Sequence, residues 1–498
     1  MNDFMVKDNE DCLLIYRKLL VAFERCAENA SPYLNIIALF FHDIMRVLTG
    51  LAVCRNELEG PYAPPKDVRS LRTRSFPYIG YRDILDGINV DDKNYKVRYH
   101  GRAAFRKRLA HLKWEVISKV TSLSPGKSLH ASKRLWANAG VIGHSRLAQA
   151  GFRADYRVPR HISIPNRSFQ LRELRTTVDD ICQSLDLHHH YRALAELLDR
   201  HILVKTRELD PPKKLPYDLV LTRTLLGLES RFMAALGRHS GIPVVGVCHG
   251  EGDGVFDEPA VGYGERTFPT FYVGYGGGGD LVPENEHYRK SLYEQPSYVS
   301  ADSDFVRSQY NGKAVEPLKS LAGKTLMYVP SQFYGWRRYG PFHLLPDHLY
   351  LFWQEALFKE FPDLILKRHP KEFDDAKLTL QGATRVMHGR FEECLDQADI
   401  FVFDVLSGAA WNAVATSKPI IYFNIGLRNL TEMSAEALRR RCVWIDVDPA
   451  RPTALREQVA VHLSDPKTNN FSSTFCLAQS DNALTREQSV LGVLDSAY

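Results

Sequence analysis

Cysteine is scarce and scattered in this chain. The 498 residues include eight cysteines, and no two of them form a Cys-x-x-Cys pair. A disulfide scaffold or a cysteine zinc site needs cysteines that are more numerous or more closely spaced. The cysteine pattern therefore argues against both kinds of site and is typical of a protein from a reducing cytosol.

The sequence also lacks a segment for export or for membrane insertion. Its first four residues contain no basic region followed by an apolar one, so we expect no secretory signal. The longest apolar stretch, 34–53, is interrupted by His42, Asp43 and Arg46, which would be costly inside a bilayer. We predict a buried or interfacial helix there and a cytoplasmic protein. A peripheral contact with the inner face of the plasma membrane is compatible with this prediction.

Several catalytic and metal-binding motifs are missing. No His-Glu-x-x-His or Gly-x-Ser-x-Gly motif occurs, so a zinc protease or a serine hydrolase has no support. Three adjacent histidines, 188–190, stand in a stretch of helical periodicity, where neighbouring side chains point in different directions. We interpret them as solvated surface and expect no bound metal.

Positive charge is present but unevenly distributed. The formal net charge is only +5, yet the segment from Lys66 to Arg160 holds 21 Lys and Arg against 7 Asp and Glu. This basic zone suits an anionic partner, such as a glycan chain or an anionic lipid. Nucleic acid is an alternative partner, but the basic residues lack aromatics at the spacing of RNP motifs or zinc fingers. We therefore expect no nucleic acid.

The hydrophobic periodicity divides the chain into three zones. Residues 1–204 are predicted to be mainly helical, with helices at 12–28, 33–53 and 103–122. Residues 205–315 begin with a strand, a helix and a strand over 217–248, and residues 316–498 alternate strands with helices. Strands in the third zone are predicted at 324–329, 364–367, 384–387, 399–403, 419–423 and 443–445. We predict an α/β fold whose two Rossmann-like lobes, at 205–315 and 316–498, face each other across a cleft.

Ligands of such folds bind at the carboxyl ends of the strands. The strand predicted at 364–367 ends in Lys367, Arg368 and His369, and Pro370 stops it. A positive cluster of this kind suits a diphosphate, and His369 can donate a hydrogen bond or a proton to a departing phosphate oxygen. A solvated loop is the alternative interpretation.

A second polar strand end follows the strand at 399–403. Asp404 comes directly after it, and Ser407 and Gly408 open a predicted helix. Small residues there leave backbone N–H groups and a hydroxyl facing the cleft, which is the geometry of an anion site. An ordinary serine N-cap is the alternative. Together the two strand ends predict a donor-phosphate site.

The other lobe offers acids and a histidine after the strand at 244–248. His249, Glu251 and Asp253 alternate with glycines, which let a ligand approach the backbone closely. Each of the three can remove a proton from an acceptor hydroxyl. A flexible turn is the alternative, and the spacing does not match an EF-hand or a Walker A loop.

Two further loops carry weaker signals. Trp336 and Arg337, in the segment 334–340, suit stacking on a base or a sugar ring, although an exposed loop held by its aromatics is equally compatible. The glycine-rich segment 274–280 predicts a mobile loop or a hinge.

These motifs resemble those of GT-B-type bacterial surface-carbohydrate transferases. The resemblance rests on His-Gly at 249–250, His-Pro at 369–370, and Asp404 and Ser407 ahead of the Ser-Lys-Pro-Ile-Ile-Tyr-Phe at 417–423. It covers about 215–465 and includes the CDP-glycerol glycerophosphotransferases and the sialyl- and Kdo-transferases. The sequence departs from the polyol-phosphate branch at 251–254, where Glu-Gly-Asp-Gly replaces the usual Thr-Pro.

The resemblance implies a role for each matching residue. His369 and Ser407 would hold the donor phosphates. In the polyol-phosphate branch the base would be His249. In the sialyltransferase branch the base would be an acidic residue near Asp253. No tightly bound cofactor is implied, and the donor would be CMP-, CDP- or UDP-linked.

The sequence thus predicts a transferase that moves a sugar or a polyol phosphate from a nucleotide-activated donor. The acceptor would be a hydroxyl of a surface polysaccharide or lipid-linked glycan, bound through the basic zone. A UDP-sugar 2-epimerase of the same fold is an alternative that gives the basic zone no role. A non-enzymatic nucleic-acid binder is the other alternative.

Overall fold

The computed structural model describes two six-stranded parallel sheets, one two-stranded parallel sheet and the helices around them. The described residues are 3–28, 31–59, 133–138, 142–155, 159, 161–211, 214–223, 225, 227–250, 252–257, 265–278, 294–310, 315, 318–331, 347–368, 383, 385–478 and 484–497. Most of the basic zone and the helix predicted at 103–122 lie outside these residues.

The strands are short, with two to five residues each. They are β1 (Lys133–Ala137), β2 (Phe152–Asp155), β3 (Ile162–Ser163), β4 (Thr206–Arg207), β5 (Leu219–Thr222), β6 (Val244–Val247), β7 (Phe271–Tyr275), β8 (Ser297–Ala301), β9 (Leu326–Val329), β10 (Ile365–Lys367), β11 (Arg385–Met387), β12 (Ile400–Phe403), β13 (Ile420–Asn424) and β14 (Val443–Asp446).

The helices alternate with these strands along much of the chain. They are α1 (Asp3–Ala27), α2 (Ile36–Glu59), α3 (His144–Gln149), α4 (Arg167–Ser184), α5 (His188–Lys205), α6 (Leu228–His239), α7 (Asp304–Gln309), α8 (Asp347–Glu360), α9 (Gly408–Ala415), α10 (Glu432–Arg441), α11 (Leu455–His462), α12 (Asn470–Phe475) and α13 (Arg486–Ser496), with 3-10 turns at Pro32–Leu34 and Phe391–Gln397.

Two six-stranded sheets form the centres of the two lobes. The first has the order β2-β1-β5-β6-β7-β8 and the second the order β11-β10-β9-β12-β13-β14. Every pairing between these described strands is parallel. The central strands β5, β6, β9 and β12 are buried along their whole length, as expected for parallel strands that helices cover on both faces. The prediction of an α/β fold with two Rossmann-like lobes is confirmed.

The first sheet begins earlier in the chain than the sequence predicted. Strands β1 and β2 lie between residues 133 and 155, within the region that we predicted to be mainly helical, and β1 pairs with β5. The apolar run of β1 is only three residues long and follows Lys133 and Arg134. The pattern is too short and too charged to predict a buried strand from the sequence.

The long N-terminal helices cover one face of the first sheet. Their apolar side chains share a core with α6 and with alternate residues of the strands, such as Val220. The prediction of a buried helix at 34–53 is confirmed, since residues 36–41 of α2 are all buried. Asp43 of α2 pairs with the buried Arg231 of α6 at 2.7 Å. Among the described helices, none is long and apolar enough to cross a membrane.

The chain returns to the first sheet near its end. After the second sheet is complete, α13 packs on the opposite face of the first sheet, where Val490, Val493 and Leu494 share a core with Leu219 and Leu221. The segment 470–497 therefore belongs partly to the first lobe, although the sequence assigned all of 316–498 to the second.

Candidate active site

Helix α9 begins at the carboxyl edge of the second sheet, just after β12. Ser407 occupies its N-cap in an extended conformation, and the hydroxyl makes no capping hydrogen bond. A Cβ added to Gly408 would meet no atom of the described residues within 4 Å. A helix start whose N–H groups lack a side-chain cap is suited to bind an anion.

Asp404 lies three residues before Ser407 but points into the core. It is 1% exposed, and its carboxylate accepts hydrogen bonds from Tyr328 Oη at 2.5 Å, Trp353 Nε1 at 2.9 Å and Tyr350 Oη at 3.2 Å. Three donors stabilise a buried carboxylate in its ionised form. The geometry therefore places Asp404 as an anchor for the turn that leads to Ser407.

Lys367 is also directed inward. Its side chain is buried at the end of β10, and Nζ donates to the carbonyl oxygens of Gly389 at 2.7 Å and of Arg368 at 2.9 Å. Burial lowers the pKa of Lys367. These bonds fix the turn after β10, and the half-buried Arg368 follows at the edge. His369 lies outside the described residues.

His249 stands at the carboxyl edge of the first sheet, just after β6. It is exposed, its carbonyl accepts from Arg223 Nη2 at 3.4 Å, and its backbone N–H donates to Glu265 Oε2 at 3.3 Å. Of the three side chains predicted as bases, this is the one that the structure places at the surface. Glu251 lies outside the described residues.

Asp253 is buried instead, with 4% exposure. Its Oδ1 lies 3.6 Å from Arg266 Nη2, and its Oδ2 accepts no hydrogen bond among the described residues. Burial raises the pKa of Asp253, and the nearby Arg266 opposes that shift. A Cβ at Gly274 would lie 2.2 Å from Oδ2, so this side chain is pressed against β7, away from the surface.

Three ionisable residues next to Asp253 were not predicted from the sequence. Tyr272 Oη donates to Glu265 Oε2 at 2.5 Å, and the Arg266 guanidinium lies 4.7 Å from the Tyr272 ring centre. Burial raises the pKa of Glu265 to about 7; the Tyr272 hydrogen bond lowers it and the Asp253 charge raises it. No motif marks these residues, since only the pairing of β6 with β7 brings Tyr272 beside the loop after β6.

The glycine-rich segment after β7 is closely packed where the structure describes it. A Cβ at Gly276, whose φ is +61°, would lie 2.4 Å from the Phe475 carbonyl carbon. A Cβ at Gly278 would lie 1.9 Å from the backbone carbonyl oxygen of Asp253. Glycine at these two positions permits close backbone approach, so the prediction of a mobile hinge is wrong for 276–278. Gly279, Asp280, Trp336 and Arg337 lie outside the described residues.

The two strand-end loops meet. A Cβ at Gly252 would lie 3.7 Å from Trp411 on α9, and the Phe256 ring contacts the Trp411 ring edge-on at 6.3 Å. The carbonyl of Val255 accepts from Ser434 Oγ at 2.7 Å and from the Thr431 N–H at 2.9 Å. The loop that follows β6 in the first lobe is therefore held against the helix that begins at Ser407 in the second.

Comparison with known proteins adds a set of distant structural likenesses. Neither a protein-family model nor a curated protein sequence matches the chain. The chain is similar to the glycosyltransferase SnogD from Streptomyces nogalater (15% identity, 74% of this chain and 100% of the other, TM-score 0.32). It is also similar to Alr3699/HepE from Anabaena in complex with UDP-glucose (13%, 73% and 99%, TM-score 0.34) and to UGT89C1 from Arabidopsis thaliana (12%, 73% and 86%, TM-score 0.32).

These likenesses are distant, with identities of 12–15% and TM-scores of 0.32–0.34. At such identities and TM-scores they specify neither the donor nor the acceptor of this chain. The function is therefore argued from its own residues.

Proposed function

We propose that this protein is a glycosyltransferase, which transfers a sugar or a polyol phosphate from a nucleotide-activated donor to a hydroxyl group. One observation carries the proposal: the loop after β6 lies against Trp411 of α9, the helix that begins at Ser407. This contact supports a site in which an acid–base group of the first lobe and an anion at the start of α9 would face one cleft. Transfer from a nucleotide diphosphate requires both, because the acceptor loses a proton as the phosphate leaves.

The second lobe would bind the donor phosphates. The start of α9 offers backbone N–H groups and the uncapped Ser407 hydroxyl, and no described atom lies within 4 Å of a Cβ added to Gly408. Arg368, at the end of β10, would add positive charge from the far side of β9, and His369 would assist the leaving oxygen. Lys367 and Asp404 would act indirectly, by fixing the two turns through buried hydrogen bonds.

The first lobe would bind the acceptor and remove its proton. His249 is exposed at the edge of this sheet, next to the carboxylate of Glu265. Asp253, also predicted as a base, would instead support the loop from inside, since it is buried against β7.

We further propose that the acceptor belongs to a surface polysaccharide or a lipid-linked glycan. The basic zone of 66–160 would bind the anionic chain, or the anionic lipid at which it grows. The donor would be a CMP-, CDP- or UDP-linked group.

A thermal-shift series with CMP, CDP, UDP, GDP and dTDP tests the donor site. We expect one nucleotide to raise the melting temperature selectively, because a ligand that binds only the folded state stabilises it. Ser407→Ala should weaken the binding of that nucleotide about tenfold, since one hydrogen bond to a charged group contributes about 1.5 kcal/mol. Ser417→Ala, at the exposed far end of α9, is the matched control.

Two results would contradict the proposal. If none of the five nucleotides shifts the wild-type melting temperature, the donor site is wrong. If Ser407→Ala and Ser417→Ala bind the nucleotide equally well, the start of α9 does not hold its phosphates. Isomerisation of a UDP-sugar without any acceptor would favour the epimerase alternative.

A further inference from the structure

Two acids lie close together at the carboxyl edge of the first sheet. Asp253 Oδ1 is 3.6 Å from Arg266 Nη2, and the charges of Asp253 and Arg266 both act on Glu265. Burial raises the pKa of each acid. Two neighbouring carboxyls withdrawn from water retain a proton more readily than either would in water.

The two carboxyl groups differ in their access to a substrate. Asp253 is 4% exposed, with Oδ1 facing Arg266 and Oδ2 pressed against the backbone at Gly274. Glu265 is only partly buried, so it is the more accessible acid of the pair.

The orientation of Glu265 is fixed through one of its two oxygens. Oε2 accepts from Tyr272 Oη at 2.5 Å and from the backbone N–H of His249 at 3.3 Å. Oε1 accepts no hydrogen bond from any described residue. A carboxylate held on one oxygen and free on the other has the form that general bases require, since geometry comes before acidity.

We propose that Glu265 is the general base that takes the proton from the acceptor hydroxyl, an inference that rests on the proposed function. The acceptor O–H bond breaks as its proton passes to Glu265. The acceptor oxygen forms its new bond to the transferred group while the bond between that group and the donor phosphate breaks. The electron pair of that bond leaves on the phosphate oxygen, which the start of α9 stabilises. A pKa of Glu265 near 7 suits such a role at neutral pH.

Several titratable or charged groups face this carboxyl and bear on its pH dependence. They are Cys248 and His249 after β6, Asp253 and Arg266 on the two loops, and Tyr272 on β7. Burial raises the pKa of the Cys248 thiol and of the Tyr272 hydroxyl well above their ordinary values, so both remain protonated near neutral pH. His249 is the remaining competitor for the role, and the test must separate the two.

The test measures nucleotide release from UDP-glucose, CMP-N-acetylneuraminic acid and CDP-glycerol, with water as the acceptor, between pH 5.5 and 9. The wild type should release nucleotide from at least one donor, with a rate that rises with pH through about 7. Glu265→Gln should slow release at least about 100-fold, as expected for the loss of a general base, and should abolish this rise. The donor KM should change less than about twofold, because Glu265 does not touch the donor phosphates.

Three variants complete the design. Glu265→Asp keeps an acid one methylene further away, so it should be slow but should keep the pH dependence. It also serves if Glu265→Gln does not fold. His249→Asn should lower the rate less than Glu265→Gln and should keep the rise near pH 7. Glu229→Gln, at an exposed position of α6, should match the wild type.

The outcomes separate this inference from the function on which it rests. If the wild type neither binds nor turns over any of the three donors, the proposed function is wrong. If the wild type turns over a donor and Glu265→Gln keeps more than half of the rate, only the role of Glu265 is wrong. If His249→Asn abolishes the rise near pH 7, His249 is the base and Glu265 merely holds its backbone.

Discussion

The buried charges at the carboxyl edges of the two sheets differ in the hydrogen bonds that they make. On the second sheet, Asp404 accepts hydrogen bonds from three side chains, and Lys367 donates to two backbone carbonyls. On the first sheet, Asp253 lies 3.6 Å from Arg266 and its Oδ2 has no donor among the described residues, while Glu265 accepts hydrogen bonds on Oε2.

This difference indicates a structural role for the buried charges of the second edge and a role in proton transfer for those of the first. A buried charge whose hydrogen bonds are all satisfied has a stable protonation state and holds the backbone in place. A buried acid with few donors keeps its proton to a higher pH than in water, so it can take up or release a proton near neutral pH, which is what proton transfer requires. The second edge is therefore built to hold an anion at a fixed position, and the first to exchange a proton.

The largest effect is expected from breaking the support at the second edge. Asp404→Ala removes the carboxylate that accepts hydrogen bonds from Tyr328, Tyr350 and Trp353 in the core, which should cost about 3–5 kcal/mol of unfolding free energy. Urea unfolding measures this loss. Asp399→Asn, which alters an exposed carboxylate bonded to the Thr325 N–H, should cost less than about 1 kcal/mol. Equal losses in the two variants would show that the Asp404 cluster gives no special support.

A smaller effect should distinguish the acids of the first edge by the pH dependence of stability. The folded-state pKa of Glu265 is raised to about 7 from its ordinary value of 4.5, so the folded state binds more protons between these values. The contribution of this group is therefore present at low pH and is lost as pH rises through about 7. Between pH 5 and pH 7.5, the unfolding free energy of the wild type should therefore fall by about 1–2 kcal/mol more than that of Glu265→Gln. This magnitude allows for solvent screening at a partly exposed group.

The control for this prediction is again Glu229→Gln, which should keep the wild-type slope. An identical slope in the wild type and in Glu265→Gln would show that the carboxyl titrates near its ordinary value. The same result would weaken its assignment as the base.

The smallest effect concerns the contact between the two edges. Ser434→Ala removes the buried hydrogen bond from Ser434 Oγ to the Val255 carbonyl, and should cost about 1 kcal/mol. Because that bond holds the loop after β6 against the second lobe, the nucleotide-release rate should fall a few-fold while the donor KM stays constant. Ser473→Ala, whose exposed hydroxyl bonds within α12, should change neither quantity. A rate unaffected by Ser434→Ala would mean that this loop is positioned by other contacts.

The sequence predicted the strands and helices of this molecule better than the directions of its side chains. Short apolar runs ending in polar residues were enough to place β10, β12 and the start of α9, because parallel buried strands leave that pattern. A one-dimensional pattern could not predict whether Lys367 and Asp404 would point toward a ligand or into the core. That choice depends on Gly389, Tyr328 and Trp353, which are distant in the chain.

Glu265 shows the same limit at the first edge. Its partners are Tyr272 on the neighbouring strand and the backbone of His249, 16 residues earlier. No spacing rule connects these positions, so a pair of acids that forms only in the folded protein was missed. Asp253 was found for its glycine neighbours, yet its carboxylate packs against Gly274 of β7.

The return of α13 to the first sheet has a consequence for how the protein is made. During synthesis, strands β1, β2 and β5–β8 leave the ribosome long before residues 486–496, which cover the face formed by Leu219, Leu221 and Val245. The first lobe must wait, with that apolar face exposed, until the second lobe has been synthesised. A ribosome that stalls before residue 486 would therefore leave an aggregation-prone half-protein, and the nascent chain at that stage should depend on chaperones.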